Sequence, residues 1–211
     1  MILIKYGGHA LPGPGEVDPV LGLIADLHKS GEKIVLVHGG GPQINAALER
    51  LKLGKEMVGG YRKTSPEVFA VVQEVLSGQV LRSIVHQLIA SGVNAVGLSA
   101  SDGQTIRAQK TLVDVDGTPT DIGLVGEVVS TNPALIQGLM QSGYLPVISP
   151  VACDTSGQGL NLNADLQARI VIITESSDDE NADGGGDDEV RARGAKKTVS
   201  GISKTRDTTT T

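Results

Sequence analysis

The chain has 211 residues, 39% of them hydrophobic, and a mean hydropathy of +0.02, enough to bury a substantial core in a fold longer than one small domain but short of two. A net charge of −6 with 2% aromatic residues excludes general nucleic-acid binding and base-stacking platforms. The single cysteine, Cys153, excludes an internal disulfide, the four histidines are scattered, and no stretch of about 18 apolar residues offers a membrane span, so a cytoplasmic protein with no metal cluster and no membrane contact is expected.

Met1 to Tyr6 reads as a first strand, ended by Gly7 and Gly8. Val17 to Ser30 carries Val20, Leu21, Ile24, Ala25 and Leu27 at helical spacing and closes at Gly31. Ile34 to Val37 is a continuous apolar run rich in β-branched residues, the pattern of a central parallel strand buried on both faces. Gly39, Gly40 and Gly41 follow, then Pro42 at the first position of a helix through Ile44, Ala47, Leu48 and Leu51. The right-handed crossover of such a β-α-β unit puts both strand ends on one edge of the sheet, outside which ligands bind in parallel folds. Three residues without Cβ can take positive φ and bare the main chain, and the helix N-terminus behind them favours an anion, so the turn reads as a phosphate seat. It also fits a tight turn with no ligand. The run is not a P-loop, because no Gly-Lys-Ser/Thr follows, and Ile44 occupies the third glycine position of a dinucleotide fingerprint.

Leu51 to Thr64 mixes basic residues, glycines and few apolar positions, as a hairpin or flap over that rim would. Ser65, Pro66 and Glu67 supply a cap, an N1 proline and a first-turn acid to a long helix reaching about Ala90, with Gly78 as a kink. Ala95 to Leu98 is a short strand and Ser99 to Gln104 a turn. Thr105 to Gln109 and Leu124 to Val129 read as strands around the turn Asp116 to Pro119. A helix from Asn132-Pro133 ends at Gly143, Tyr144 to Ser149 is a third core strand, and Cys153 to Gly159 is a polar loop. Leu160 to Ala168 reads as a strand end turning into a helix. Asn161, Asn163 and Asp165 alternate there, so in an extended segment they share a face.

After Ala168 the composition changes. Residues 175–189 hold eight acids and no base, residues 191–206 six bases and no acid, and a threonine run follows. Arg169 to Thr174 can add one strand; the rest cannot bury enough apolar surface to offset its chain entropy and reads as disordered. The expected organisation is therefore a domain over residues 1–168 and an aberrant tail over 169–211.

Four segments taken together resemble one known family. Lys5-Tyr6-Gly7-Gly8, His38-Gly39-Gly40-Gly41-Pro42-Gln43-Ile44, Gly60-Tyr61-Arg62-Lys63-Thr64 and Asn161-Leu162-Asn163-Ala164-Asp165, in this order over residues 1–168, are similar to the amino acid kinase family, and within it to the N-acetylglutamate kinases of arginine biosynthesis. The resemblance implies a three-layer α/β/α sandwich on a mainly parallel sheet. It implies phosphoryl transfer from ATP, carried with Mg2+, to the γ-carboxylate of N-acetyl-L-glutamate, in a homo-oligomer. Carried over by position, it implies that Lys5 and Asp165 are catalytic, Lys5 neutralising the phosphoryl group and Asp165 orienting the lysines. Gly40, Gly41, Arg62, Asn161 and Asn163 would bind substrate, with Arg62 on the α-carboxylate and Asn161 on the acetamido group; Gly7, Gly8 and Gly39 would hold phosphate. No metal ligand is implied.

Read from residues alone, Lys5 also fits a blunted sheet edge, Arg62 a solvated flap charge and Asp165 a helix cap. The family's second catalytic lysine and nucleotide-binding region lie beyond the Asn-Leu-Asn-Ala-Asp segment, and nothing in residues 169–211 matches them, which makes turnover by this chain doubtful and a reading-frame change a ready explanation of the tail. Two other functions fit the same motifs: a catalytically silent module for binding an acyl-amino acid or for oligomerising, and a kinase for carrier-protein-bound aminoadipate in lysine biosynthesis.

Overall fold

The computed structural model describes residues 1–7 and 18–164. Gly8, the Val17 helix start, Asp165, the strand at 169–174 and the tail at 169–211 lie outside the described residues. The chain forms strand β1 (Ile2–Tyr6), helix α1 (Pro19–Lys29), strand β2 (Ile34–His38) and helix α2 (Gly41–Arg50). A hairpin of β3 (Met57–Val58) and β4 (Tyr61–Arg62) follows, then α3 (Pro66–Gln73), a π-helical segment (Glu74–Val80) and α4 (Leu81–Ala90), which run on as one helix. Next come β5 (Ala95–Ser99), β6 (Ile106–Lys110), β7 (Val113–Val115), β8 (Thr118–Thr120), β9 (Gly126–Thr131) and α5 (Ala134–Gln141). The described chain closes with β10 (Leu145–Ser149), β11 (Val151–Cys153) and β12 (Gly159–Asn161).

Strand β2 is the axis of the fold. All five of its residues are buried, and it pairs in parallel with β1 on one side and β10 on the other, with β5 beyond β10. Its alternate side chains feed two cores. Ile34 and Leu36 face α1 to α4, packing with Leu21, Ile24, Leu48, Val72, Ile84 and Leu88. Val35 and Val37 face Ile136 of α5 and Ile106, Ala152 and Leu160 of a second, mixed sheet ordered β12-β11-β6-β9. The result is a three-layer α/β fold on a parallel central sheet, with one outer layer helical and the other shared between α5 and the second sheet.

Local chemistry sets most helix ends. Asp18 caps α1 by accepting from the Val20 amide at 2.8 Å, and its other oxygen accepts from the Tyr6 hydroxyl, so a buried pair ties β1 to α1. Burial and the adjacent carboxylate push the Tyr6 pKa up. Ser65 caps α3 by accepting from the Val68 amide, with Pro66 and Glu67 in the first turn as the sequence indicates. Around Gly78 the helix widens into the π segment, and the Ser77 hydroxyl lies 2.8 Å from that of Ser149 at the end of β10.

Three other expectations are corrected. The turn at Asp116-Gly117, with φ of 51° and 81°, does not join β6 to β9; it closes the extra hairpin β7–β8, because two consecutive positive-φ residues make a two-residue turn between the nearest strands. β6 and β9 do pair, antiparallel. The polar stretch after Cys153 is the turn of the β11–β12 hairpin, tightened by Asp154 accepting from the amides of Ser156 and Gln158. Finally, Pro66–Ala90 is 25 residues long with a hydropathy of 1.4, long and apolar enough to cross a bilayer, yet 56% of that window is buried, against the sheet and the neighbouring helices.

Strand β12 is seated on α3 through Gly159, where an added Cβ would enter the ring of Phe69. Gly159→Ala is expected to lower the urea-unfolding free energy by about 1–3 kcal/mol through overpacking, and a second substitution, Phe69→Leu, to recover part of that loss relative to F69L alone.

Candidate functional site

Parallel pairing brings the carboxyl ends of β1, β2, β10 and β5 to one edge. Tyr6 lies in register with His38, and the Gly39 amide donates to the Tyr6 carbonyl at 3.0 Å, which sets Gly7 beside the triple glycine. None of the three glycines adopts the expected positive φ. Gly40, the N-cap of α2, has an extended φ of 175°, but a Cβ there would lie 2.7 Å from Leu76 Cδ2 in the π segment. A side chain there would force Leu76 of the long helix to shift. At Gly7 and Gly41, by contrast, no other heavy atom of the described residues lies within 4 Å of the Cβ position, so there the main chain is open where the amides of the first turn of α2 begin. Pro42 is the second residue of α2, not its first.

Lys5 stands one residue before Tyr6, in register with Val37. It is exposed, and β1 is an edge strand of the described sheet, as the reading of a blunted sheet edge also has it. Gly8 and Asp165 lie outside the described residues.

Arg62 is 9% exposed, which rules out a solvated flap charge. Its Nη2 donates to Asn45 Oδ1 on α2 at 2.6 Å, and its Nη1 is shielded from solvent with no partner among the described residues. Burial draws its pKa down from the usual value, but a guanidinium keeps its charge. A buried cation held by one neutral amide, with a donor left over, is a seat for an anion.

Fully buried Thr64 joins this arginine to the late asparagine. Its hydroxyl donates to the Arg62 carbonyl at 2.7 Å and accepts from Asn161 Nδ2 at 3.4 Å. Its amide donates to the Ile122 carbonyl, its own carbonyl accepts from Leu124, and the Asn161 amide donates to Leu124. The Leu162 amide donates to the Pro150 carbonyl, directly after β10, so Asn161 and half-buried Asn163 lie at the same edge of the sheet as the glycines. Sequence reasoning found Arg62 and Asn161 but gave no role to Thr64 or Asn45. Thr64 stood inside a quoted motif and Asn45 directly after another, and their partners are remote in the chain.

A cleft of about 390 Å³ opens at the opposite edge, lined by Lys33, Asn94 and Tyr144 where the strands begin. The C-terminal ends of α1, α4 and α5 converge there, the wrong end of three dipoles for an anion. Among the described residues no group of three His, Cys, Asp or Glu gathers to hold a metal ion.

A family model described as the amino acid kinase family matches residues 1–171. Acetylglutamate kinase of Rhodococcus jostii (strain RHA1) is 44% identical over 185 residues, 83% of this chain and 60% of the relative. That of Arthrobacter sp. (strain FB24) is 46% identical over 176 residues, 81% of this chain and 57% of the relative. The chain thus spans about 60% of the length of the curated relatives it matches. Among solved structures, smu.665 from Streptococcus mutans UA159 superposes with a TM-score of 0.71 at 27% identity, over 82% of this chain and 68% of that one. N-acetylglutamate synthase from Neisseria gonorrhoeae, solved with coenzyme A and N-acetyl-glutamate, superposes with a TM-score of 0.69 at 22% identity, over 82% of this chain and 38% of that one, a likeness of fold.

His38 ends β2 beneath this rim, 0% exposed, with Nδ1–H donating to the Gly39 carbonyl at 2.9 Å and Nε2 unpartnered. Desolvation pushes its pKa down to about 4 from 6.5, against a smaller opposing effect of the Gly39 bond. The unfolded chain therefore binds this proton before the folded one does, and the stability that the neutral ring contributes is present above pH 6.5 and lost between 6.5 and 4. That loss is on the order of 3 kcal/mol. In urea titrations at stepped pH, His38→Asn is expected to be less stable than the parent chain at pH 7, with the gap narrowing towards pH 4. A gap constant across this range would show that His38 does not titrate this way.

Proposed function

The chain belongs to the amino acid kinase family, and on that premise we propose that residues 1–168 are the acceptor-binding half of an acetylglutamate kinase, binding N-acetyl-L-glutamate with its γ-carboxylate at the glycine rim. The observation that carries this reading is Arg62: a buried guanidinium with an unpartnered Nη1, linked through Thr64 to Asn161. Arg62 takes the α-carboxylate. Asn161 Nδ2 donates to the acetyl carbonyl, and Asn163 completes that end of the site.

At the other end, the amides of Gly40 and Gly41 with Gly7, Gly8 and Gly39 surround the phosphoryl group, and Lys5 offsets its charge, with Asp165 orienting the lysine. The transfer needs no general base, because the acceptor carboxylate is already ionised at neutral pH. One carboxylate oxygen forms a bond to the γ-phosphorus of ATP as the bond from that phosphorus to the β,γ-bridging oxygen breaks, and ADP leaves with the electron pair. The protein's contribution is alignment and cancellation of charge. Magnesium enters with ATP as part of the co-substrate. The residues that hold the nucleotide are not assigned to any described position, and pairing of two copies belongs to the proposal as well.

Calorimetry on the 211-residue chain tests the reading. N-acetyl-L-glutamate is expected to bind, and Arg62→Ala to weaken that binding about 10- to 100-fold through loss of a charge-assisted contact. A coupled ADP assay is expected to show little or no turnover. Absence of acceptor binding at millimolar concentration would overturn the reading, and turnover at a normal rate would overturn the restriction to one half.

A further inference from the structure

Arg62 sits on a two-residue strand of a short hairpin, at the end of a long and flexible side chain, and strand pairing does not fix where its guanidinium lies. The Asn45 bond does. Asn45 belongs to α2, the helix whose first residue is Gly41 at the rim, and it follows Gly41 by four residues, about one turn or 6 Å of helix rise. Backbone amides at one point of a rigid helix and a guanidinium tethered one turn further on therefore keep a set separation. The tether is not a packing feature, since Asn45 is exposed while Ile44, Ala47 and Leu48 carry the buried face of α2.

We infer that Asn45 is a positioning residue that holds Arg62 at a fixed distance from the glycine rim, and so selects the chain length of the dicarboxylic N-acyl amino acid bound between them. The inference rests on the acceptor reading above and deepens it. An acceptor with a carboxylate at each end must reach both seats. With Arg62 tethered, an acid one methylene too short or too long misses one of them; with Arg62 released, the side chain follows the ligand and the discrimination goes. The amide oxygen fixes the guanidinium without neutralising it, which leaves the charge for the incoming carboxylate.

The test measures calorimetric dissociation constants of N-acetyl-L-aspartate, N-acetyl-L-glutamate and N-acetyl-L-2-aminoadipate for the full chain and for Asn45→Ala and Asn45→Asp. The parent chain is expected to prefer one length by about tenfold or more. Asn45→Ala is expected to bind that acid about tenfold more weakly and to flatten the preference to within about threefold, with a small fall in melting temperature because the buried guanidinium loses its acceptor. Asn45→Asp restores the acceptor oxygen and is expected to restore the preference, though not the affinity, since its charge opposes the ligand's. A preference that survives in Asn45→Ala overturns the inference and leaves the acceptor reading standing. Failure of the parent chain to bind any of the three acids overturns the acceptor reading, and this inference with it.

Discussion

Burial of β2 on both faces constrains nearly everything else in this molecule. A strand whose five residues are all buried cannot leave either edge in solvent, so β1 and β10 must pair with it, and the direction of the chain makes both pairings parallel. Parallel pairing requires a crossover, and α1 supplies it between β1 and β2. Once that handedness is set, Gly7 and the triple glycine have no choice of edge. The site is thus a consequence of the core, with a buried apolar run delivering the open backbone at Gly41.

The long helix shapes that backbone from the side. Leu76 and Val80 of the π segment lie over Gly40, so the N-terminus of α2 sits between β2 and a neighbour that would have to shift to admit a Cβ there. The same widened turn brings the Ser77 hydroxyl to Ser149 at the end of β10, linking helix and sheet at the rim. A regular α-helix over these residues would rotate every following side chain, and the Ile84 and Leu88 face of α4 would leave the core. The distortion lets one continuous helix satisfy the rim and the core at once.

What the sequence made legible was local. The β-branched run of β2, the Ser65-Pro66-Glu67 start of α3 and the glycine endings all carry their signal within a few residues, and each matches the structure. Strands of three residues such as β7, β8, β11 and β12 have too few positions to show alternation, so one hairpin was missed and another read as a loop. Arg62 could not be told from a surface charge because a two-residue strand has no burial pattern. Asn45 and Thr64 take their meaning from partners 17 and 97 residues away, which only the folded chain reveals. The positive φ expected of the glycine triplet is not adopted, since composition shows that Cβ is absent without showing whether torsion or proximity accounts for it.

The choice of partner for Arg62 bears on how an unliganded site stays receptive. Taking a guanidinium out of water is costly, and the usual remedy is a carboxylate, which both pairs it and cancels its charge. In a chain of net charge −6 there is no shortage of carboxylates, yet the atom 2.6 Å from Nη2 is an amide oxygen. The amide offsets part of the desolvation and fixes direction, but it leaves a full positive charge and an unpartnered Nη1 in a low-dielectric setting. An anion entering there recovers what burial cost, and it meets no resident acid that must first be displaced. On the proposed reading, preference for a negatively charged group rests on this buried guanidinium, set in place by a neutral neighbour on the helix that opens at the glycine rim.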